Sequence, residues 1–201
     1  MAQPTPEIER RQQFAVLLNA RGLKGNAVEI GTDRGVFAKQ FVHNWSGTCL
    51  ICVDPWGLID FKDRWVWGNR TPDLLMAAAL LAPYAARVSL RQSTSAEAAA
   101  HYDDGLFDFV YIDANHSFEA AAEDIGLWWP KLQPAGILAG HDYDGRHPGV
   151  IQAVDEFAAA HTAEVWLTNE PDNQSWYIYK TKPARMFQSV EHVRRQIAGE
   201  R

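Results

Sequence analysis

The chain predicts an α/β fold: a Rossmann-like, doubly wound sheet of seven strands, mostly parallel with a C-terminal antiparallel strand. Three observations predict it. Short apolar runs alternate with amphipathic stretches from residue 26 to residue 161. The first run passes straight into a glycine-punctuated turn that opens a helix, Asn26-Ala-Val-Glu-Ile-Gly-Thr-Asp-Arg-Gly35. Two late β-rich runs are separated by a turn-rich connection that suits an antiparallel hairpin. Right-handed crossovers between alternating elements leave little besides a parallel sheet with helices on both faces.

In chain order, residues 6 to 21 predict a leading helix, with Ile8, Phe14, Leu17 and Leu18 on a partial apolar face. Strand one is 26 to 31, strand two 48 to 53, strand three 87 to 91, strand four 107 to 112 and strand five 136 to 139. Helical stretches fill the gaps at 35 to 44, 72 to 84, 94 to 101, 117 to 131 and 148 to 161. Strands at 165 to 167 and 174 to 179 flank Thr168-Asn-Glu-Pro-Asp-Asn173. A length of 201 residues suits one domain, with a core of 25 to 180 and a tail of 183 to 201.

The turn after strand one reads Glu29-x-Gly31-x-x-x-Gly35 and is the candidate ligand site. Glycine there permits positive φ and a close backbone approach to a ligand. The dinucleotide fingerprint needs glycines where this chain has Asp33 and Val36, so NAD and FAD are disfavoured. No Gly-Lys-Ser/Thr follows, and an acidic turn repels a triphosphate. A ligand with ribose but no phosphate remains. Strand two ends in Asp54, about 20 residues past the glycines, where a carboxylate can accept both ribose hydroxyls.

These residues, Glu29-x-Gly31-x-x-x-Gly35 followed by Asp54, resemble the S-adenosylmethionine site of class I methyltransferases. The cofactor is cationic at sulfur, which suits an acidic loop. The resemblance covers residues 25 to 180 and implies a cofactor pocket of Glu29, Gly31, Thr32, Gly35, Asp54, Trp56 and Asp113. It extends to Gln92 and Ser93 after strand three. The spacing of that last stretch reads equally as a helix cap at Thr94 or Ser95 followed by Glu97.

Two polar clusters end strands four and five: Asp113-Ala-Asn-His116 and His141-Asp142-Tyr-Asp144. In a doubly wound sheet both face the crevice beside the cofactor. Asp113, His141 and Asp142 then offer oxygen and imidazole ligands to one cation, Mg²⁺ or Mn²⁺ rather than zinc, with the histidine shifting the preference towards manganese, iron or nickel. The competing reading is that the acids cap the following helices.

This region also resembles metal-dependent O-methyltransferases of sugars and related small molecules. The likeness lies in Ile112-Asp-x-x-His116, Trp129-Pro-Lys-Leu-Gln-Pro-Ala-Gly136 and His141-Asp-Tyr143. It departs where the family has an acidic pair and this chain has His141-Asp142, and where Pro-Gly-Gly reads Pro134-Ala135-Gly136. The resemblance implies metal ligands at Asp113 and the 141–142 pair, and a base at His116; His141 is the second candidate base if it is not a ligand. An aliphatic hydroxyl has a pKa near ~16. Against about 6.5 for histidine, complete prior deprotonation costs about 12 kcal/mol. A cation on the hydroxyl oxygen lowers its pKa by several units, and proton transfer to His116 can accompany methyl transfer rather than precede it. An amine acceptor needs neither, so O-methylation is favoured over N-methylation.

Composition excludes other classes. Nineteen basic against 25 acidic residues, a net charge of −6, argues against a nucleic-acid partner. No stretch approaches the ~18 apolar residues of a membrane span, and the Met-Ala-Gln-Pro-Thr-Pro start lacks a signal peptide's charged and apolar regions, so a cytoplasmic setting is expected. Cys49 and Cys52 form a C-x-x-C, but three strand steps of about 3.3 Å hold them roughly 10 Å apart on opposite faces, too far to bridge. They read as core thiols. Of eight tryptophans, Trp56, Trp65 and Trp67 fall in a loop where rings can stack on a sugar or aromatic acceptor, and Trp56 can instead cover the adenine. Trp128 and Trp129 read as packing. The arginine-bearing tail reads as a solvated helix or a subunit contact, which leaves a homodimer open.

Overall fold

The computed structural model describes residues 7–57 and 70–180. Among them run β1 (Asn26–Ile30), β2 (Cys49–Asp54), β3 (Val88–Gln92), β4 (Phe107–Ile112), β5 (Leu132–Gly140), β6 (Trp166–Leu167) and β7 (Trp176–Tyr179). Between them lie α1 (Phe14–Ala20), α2 (Val36–Asn44), α3 (Thr71–Leu81), α4 (Ser95–Ala99), α5 (Phe118–Trp128) and α6 (Pro148–Ala160). The seven strands form one sheet in the order β3-β2-β1-β4-β5-β7-β6. β1 to β5 are parallel to one another, and β7 runs antiparallel to both β5 and β6. The doubly wound, mostly parallel architecture is the predicted one. None of the described helices is long and apolar enough to cross a membrane.

The strands' period of two sorts the core into two layers. On one face Ala27, Cys52, Phe109 and Tyr111 pack against Phe14 and Leu17 of α1 and Phe37 and Phe41 of α2. Phe37 stacks on Tyr111 with ring centroids 4.1 Å apart. On the other face Val28, Val53, Val110 and Leu138 pack against Ile125 of α5 and Val150 and Val154 of α6. The fully buried Trp128 closes this layer, its indole N–H donating to Ser95 Oγ at 2.9 Å. Cys49 and Cys52 are free thiols facing opposite layers, as the strand geometry predicts.

The structure corrects two boundaries. The leading helix predicted over 6 to 21 is a single 3₁₀ turn at Arg11–Gln13 followed by α1, and residue 6 lies outside the described residues. The cause is Glu7. Its backbone N–H donates to Tyr177 Oη, and its carboxylate accepts from Arg21 at 2.6 and 2.8 Å and from the Tyr179 hydroxyl at 3.0 Å. These contacts with β7 require an extended entry, and Arg10 accordingly has extended backbone. β5 begins at Leu132, earlier than the predicted 136. It carries Ala135 at φ 70, the left-handed conformation. The resembled family has glycine there, so this chain keeps the turn and accepts a strain of about 1–2 kcal/mol.

Candidate active site

The turn after β1 is built first by the chain itself. The Gly31 and Thr32 amides donate to Val53 O, and the Asp113 amide donates to Ile30 O, so the ends of β1, β2 and β4 are tied together. Gly31 has φ 90, and a Cβ on it would lie 2.0 Å from Asp113 O. Glycine is therefore required by the neighbouring backbone as well as suited to a ligand. Gly35, at φ 76, caps the N-terminus of α2 and leaves room for Ala77 and Leu81 of α3.

Asp54 is buried at the end of β2. Its Oδ2 accepts from the Asp33 amide at 2.9 Å and its Oδ1 from the Trp56 amide at 2.8 Å. Burial raises its carboxyl, while those two amides and the Arg70 guanidinium at 4.0 Å pull it down. Each oxygen keeps a lone pair for a ribose hydroxyl. Trp56 is buried at φ 42, and its indole N–H donates to Asp33 O at 2.8 Å. Its ring thus locks the two loops together. Trp65 and Trp67 lie outside the described residues.

Ser93 Oγ of the predicted pocket is buried without a hydrogen-bond partner, and Glu29 and Thr32 are buried side by side. Buried polar atoms are paired in the great majority of cases. Burial pushes the Glu29 carboxyl well up, opposed by the Thr32 hydroxyl and by Arg11. A cationic ligand group beside it would favour the ionised carboxylate and offset the cost of burial. Gln92 is exposed, its amide donating to Pro55 O at 3.4 Å. Thr94 and Glu97 form a capping box on α4, so the cap reading holds for Thr94 while Ser93 turns inward.

The second cluster gathers at the carboxyl ends of β4 and β5. His116 Nε2 stands 2.8 Å from Asp142 Oδ2 and 4.0 Å from Asp113 Oδ1. His141 Nδ1 stands 3.2 Å from Asp142 Oδ1 and 3.9 Å from Asp113 Oδ1. Asp113 Oδ2 accepts from Arg11 at 3.1 Å, and that guanidinium lies 5.5 Å over the Phe37 ring. The carboxylates of Asp113 and Asp142 push the His116 imidazole up to about 9. Asp142 is the closer of the two. Burial opposes ionisation of Asp142, but His116 and His141 together hold it well below the usual carboxylate range. Asp142 sits at φ 59, a left-handed conformation that turns its side chain back into the crevice.

The helix-capping reading of these acids does not hold. Ser117 caps α5 with its hydroxyl, and His147 precedes α6. Asp113, His141 and Asp142 instead bring one ligand atom each to within 4.8 Å of one another. Two carboxylates and one imidazole fit a divalent cation of the Mg²⁺ to Mn²⁺ range. Sequence reasoning missed two members. His147 Nδ1 lies 3.7 Å from Asp142 Oδ1, and its ring centroid is 4.6 Å from that of His116. A second histidine six residues after His141 was the available signal. Arg11 carried no signal, since only the fold brings the leading segment over Asp113.

An open-edged sheet of order 3-2-1-4-5-7-6, with an acidic glycine turn after β1 and a carboxylate ending β2, defines the class I methyltransferase architecture. The chain belongs to the methyltransferase-domain family, whose model matches residues 28–143. No curated protein matches the chain in sequence. Solved structures share the fold. A Corynebacterium glutamicum protein superposes with TM-score 0.65 at 17% identity, over 91% of this chain and 85% of that one. The O-methyltransferase from Bacillus cereus, solved in complex with S-adenosylhomocysteine, gives 0.59 at 17% identity over 88% and 84%. Spermidine synthase from Thermotoga maritima gives 0.63 at 13% identity over 91% of this chain and 63% of that one. The architecture therefore hosts more than one group transfer, and the site must decide the chemistry.

Proposed function

We propose that the protein is an S-adenosylmethionine-dependent O-methyltransferase acting on a hydroxyl of a small acceptor, a saccharide in the first instance, with help from a divalent cation. One observation carries this reading: Asp113, His116, His141 and Asp142 converge beside the Glu29–Gly31–Asp54 pocket at the carboxyl edge of the sheet. The S-adenosylhomocysteine complex of the Bacillus cereus O-methyltransferase supports the donor and the acceptor atom.

In this reading Asp54 orients the ribose and Glu29 and Asp113 face the amino-acid end of the cofactor. Asp113, His141 and Asp142 hold a Mg²⁺ or Mn²⁺, which supplies acidity to the acceptor hydroxyl. His116 takes the hydroxyl proton as the oxygen attacks the sulfonium methyl, so that methyl ether, S-adenosylhomocysteine and a protonated imidazole result. Asp142, 2.8 Å away, stabilises the charge of that imidazole. The same contact favours one second reading, a metal-independent enzyme in which Asp142 and His116 act as an acid–base dyad.

Calorimetric titration tests the reading. S-adenosylmethionine and S-adenosylhomocysteine are titrated into EDTA-treated protein, alone and with Mg²⁺ or Mn²⁺, against Asp54→Ala and Asp54→Asn. Micromolar binding, weakened at least about tenfold in both variants, is expected. Because Asp54 also anchors two loop amides, the isosteric Asn separates lost charge from a collapsed turn. No binding under any condition overturns the methyltransferase reading. Turnover of a saccharide acceptor that is indifferent to EDTA selects the dyad.

A further inference from the structure

We propose that His116, Asp142 and His147 form a second cation site, which shares Asp142 with the Asp113–His141–Asp142 group and takes a divalent transition metal such as Zn²⁺. One ligand atom from each of the three residues lies within 4.8 Å of the other two. The two imidazoles stand on either side of one carboxylate, His116 at 2.8 Å from Oδ2 and His147 at 3.7 Å from Oδ1. Ligands about 2.1 Å from a tetrahedral ion stand about 3.4 Å from each other, and these separations bracket that value.

The orientation of the nitrogens argues for a cation rather than a hydrogen-bonded triad. His116 Nε2 and His147 Nδ1 are both buried and neither has a hydrogen-bond partner, although each has a carboxylate oxygen close by. Neither contact meets hydrogen-bond geometry, so both nitrogens are left beside the carboxylate without a partner. Asp144 is the other carboxylate near His147, at 3.4 Å. It is already occupied: Oδ1 accepts from the Arg146 amide, and Oδ2 from the Arg146 guanidinium and the Asn173 amide. Asp142 is therefore the carboxylate left to share a cation with His147.

The backbone holds the pair together. Gly149, in the first turn of α6, approaches the loop after β4 so closely that a Cβ would lie 2.7 Å from His116 O. Two imidazoles and one carboxylate match the three protein ligands of an open zinc site, whereas Mg²⁺ prefers oxygen. A single ion on Asp113, His141 and Asp142 uses neither His116 nor His147. The consequence for catalysis rests on the proposed function above: a metal on His116 takes away the base, so Zn²⁺ inhibits methyl transfer and His147→Ala relieves the inhibition.

The binding test needs neither donor nor acceptor. Zn²⁺ is titrated calorimetrically into EDTA-treated full-length protein, Co²⁺ binding is followed by visible absorption, and Mn²⁺ binding by electron paramagnetic resonance. The expected result is a Zn²⁺ affinity lowered at least about tenfold in His147→Ala and His116→Ala, with loss of the tetrahedral Co²⁺ bands, while Mn²⁺ binding survives in His147→Ala and fails in Asp113→Asn. Melting curves confirm that each variant is folded. Zn²⁺ binding unchanged in His147→Ala overturns the second site. So does parallel loss of Zn²⁺ and Mn²⁺ in every variant, which indicates one shared site. A failure to bind S-adenosylmethionine would leave this result standing.

Discussion

His116 shows how much one residue's chemistry depends on its neighbours. Free histidine is mostly neutral at physiological pH, yet Asp113 and Asp142 hold this imidazole protonated up to about 9. In protein stripped of metal it is therefore an acid at neutral pH. Engaging the carboxylates elsewhere brings the imidazole back towards its ordinary value, which couples the proton to cation binding. Histidine-detected NMR titration of EDTA-treated protein should place the His116 midpoint near 9, and Asp142→Asn should lower it by about 1 unit or more. The stability linked to this group is full below the ordinary value of 6.5 and is lost as pH rises through about 9. The identity and order of Asp113, His116, His141 and Asp142 were legible as two strand-end motifs. Their distances were not, because the sequence does not specify the left-handed turn at Asp142 that aims its carboxylate back at His116.

At the scale of elements, α5 carries a buried acid on the face that helical periodicity assigns to the core. Asp124 is 6% exposed between the apolar residues Ala121, Ile125 and Trp128. Burial lifts its carboxyl to about 6, against a partial pull from Ser95, the residue that also accepts the Trp128 indole. The group carries no penalty below its unfolded value near 3.8 and costs stability increasingly as pH rises to about 6. Asp124→Asn should therefore raise stability at pH 8 by about 1–3 kcal/mol, and thermal melts should show that gain vanishing below about pH 4. An unchanged melting temperature at pH 8 would show that Asp124 is already neutralised by another route. Elements such as β1, β2, β4 and α6 were readable from their apolar runs and turn residues. The leading helix was misread because its apolar spacing at Ile8 and Phe14 serves two different packings, one in an extended entry and one in α1.

At the scale of the molecule, the first described residues are stapled to the last strand. Glu7, Arg21, Tyr177 and Tyr179 form one buried group, and the Arg21 guanidinium lies 4.5 Å over the Tyr179 ring. Removing the acid breaks the buried Glu7–Arg21 ion pair and takes the acceptor of the Tyr179 hydroxyl, a loss of about 3–5 kcal/mol. Glu7→Ala should thus lower the melting temperature by roughly 6–20 °C, as read by calorimetry. A shift under a few degrees would mean that the entry segment adds little. The same segment carries Arg11 over Asp113, so the staple also sets the charge at the crevice. The sequence by itself determined the alternation of strands and helices, the acidic glycine turn, the two strand-end clusters and the fate of the cysteines. Each follows from local rules of period, φ preference and reach. Only the tertiary structure decided that Gly31 yields to the Asp113 backbone, that Arg11 covers Asp113, and that His147 joins His116 around Asp142. Those facts depend on contacts between residues far apart in the chain, which pattern and propensity do not encode.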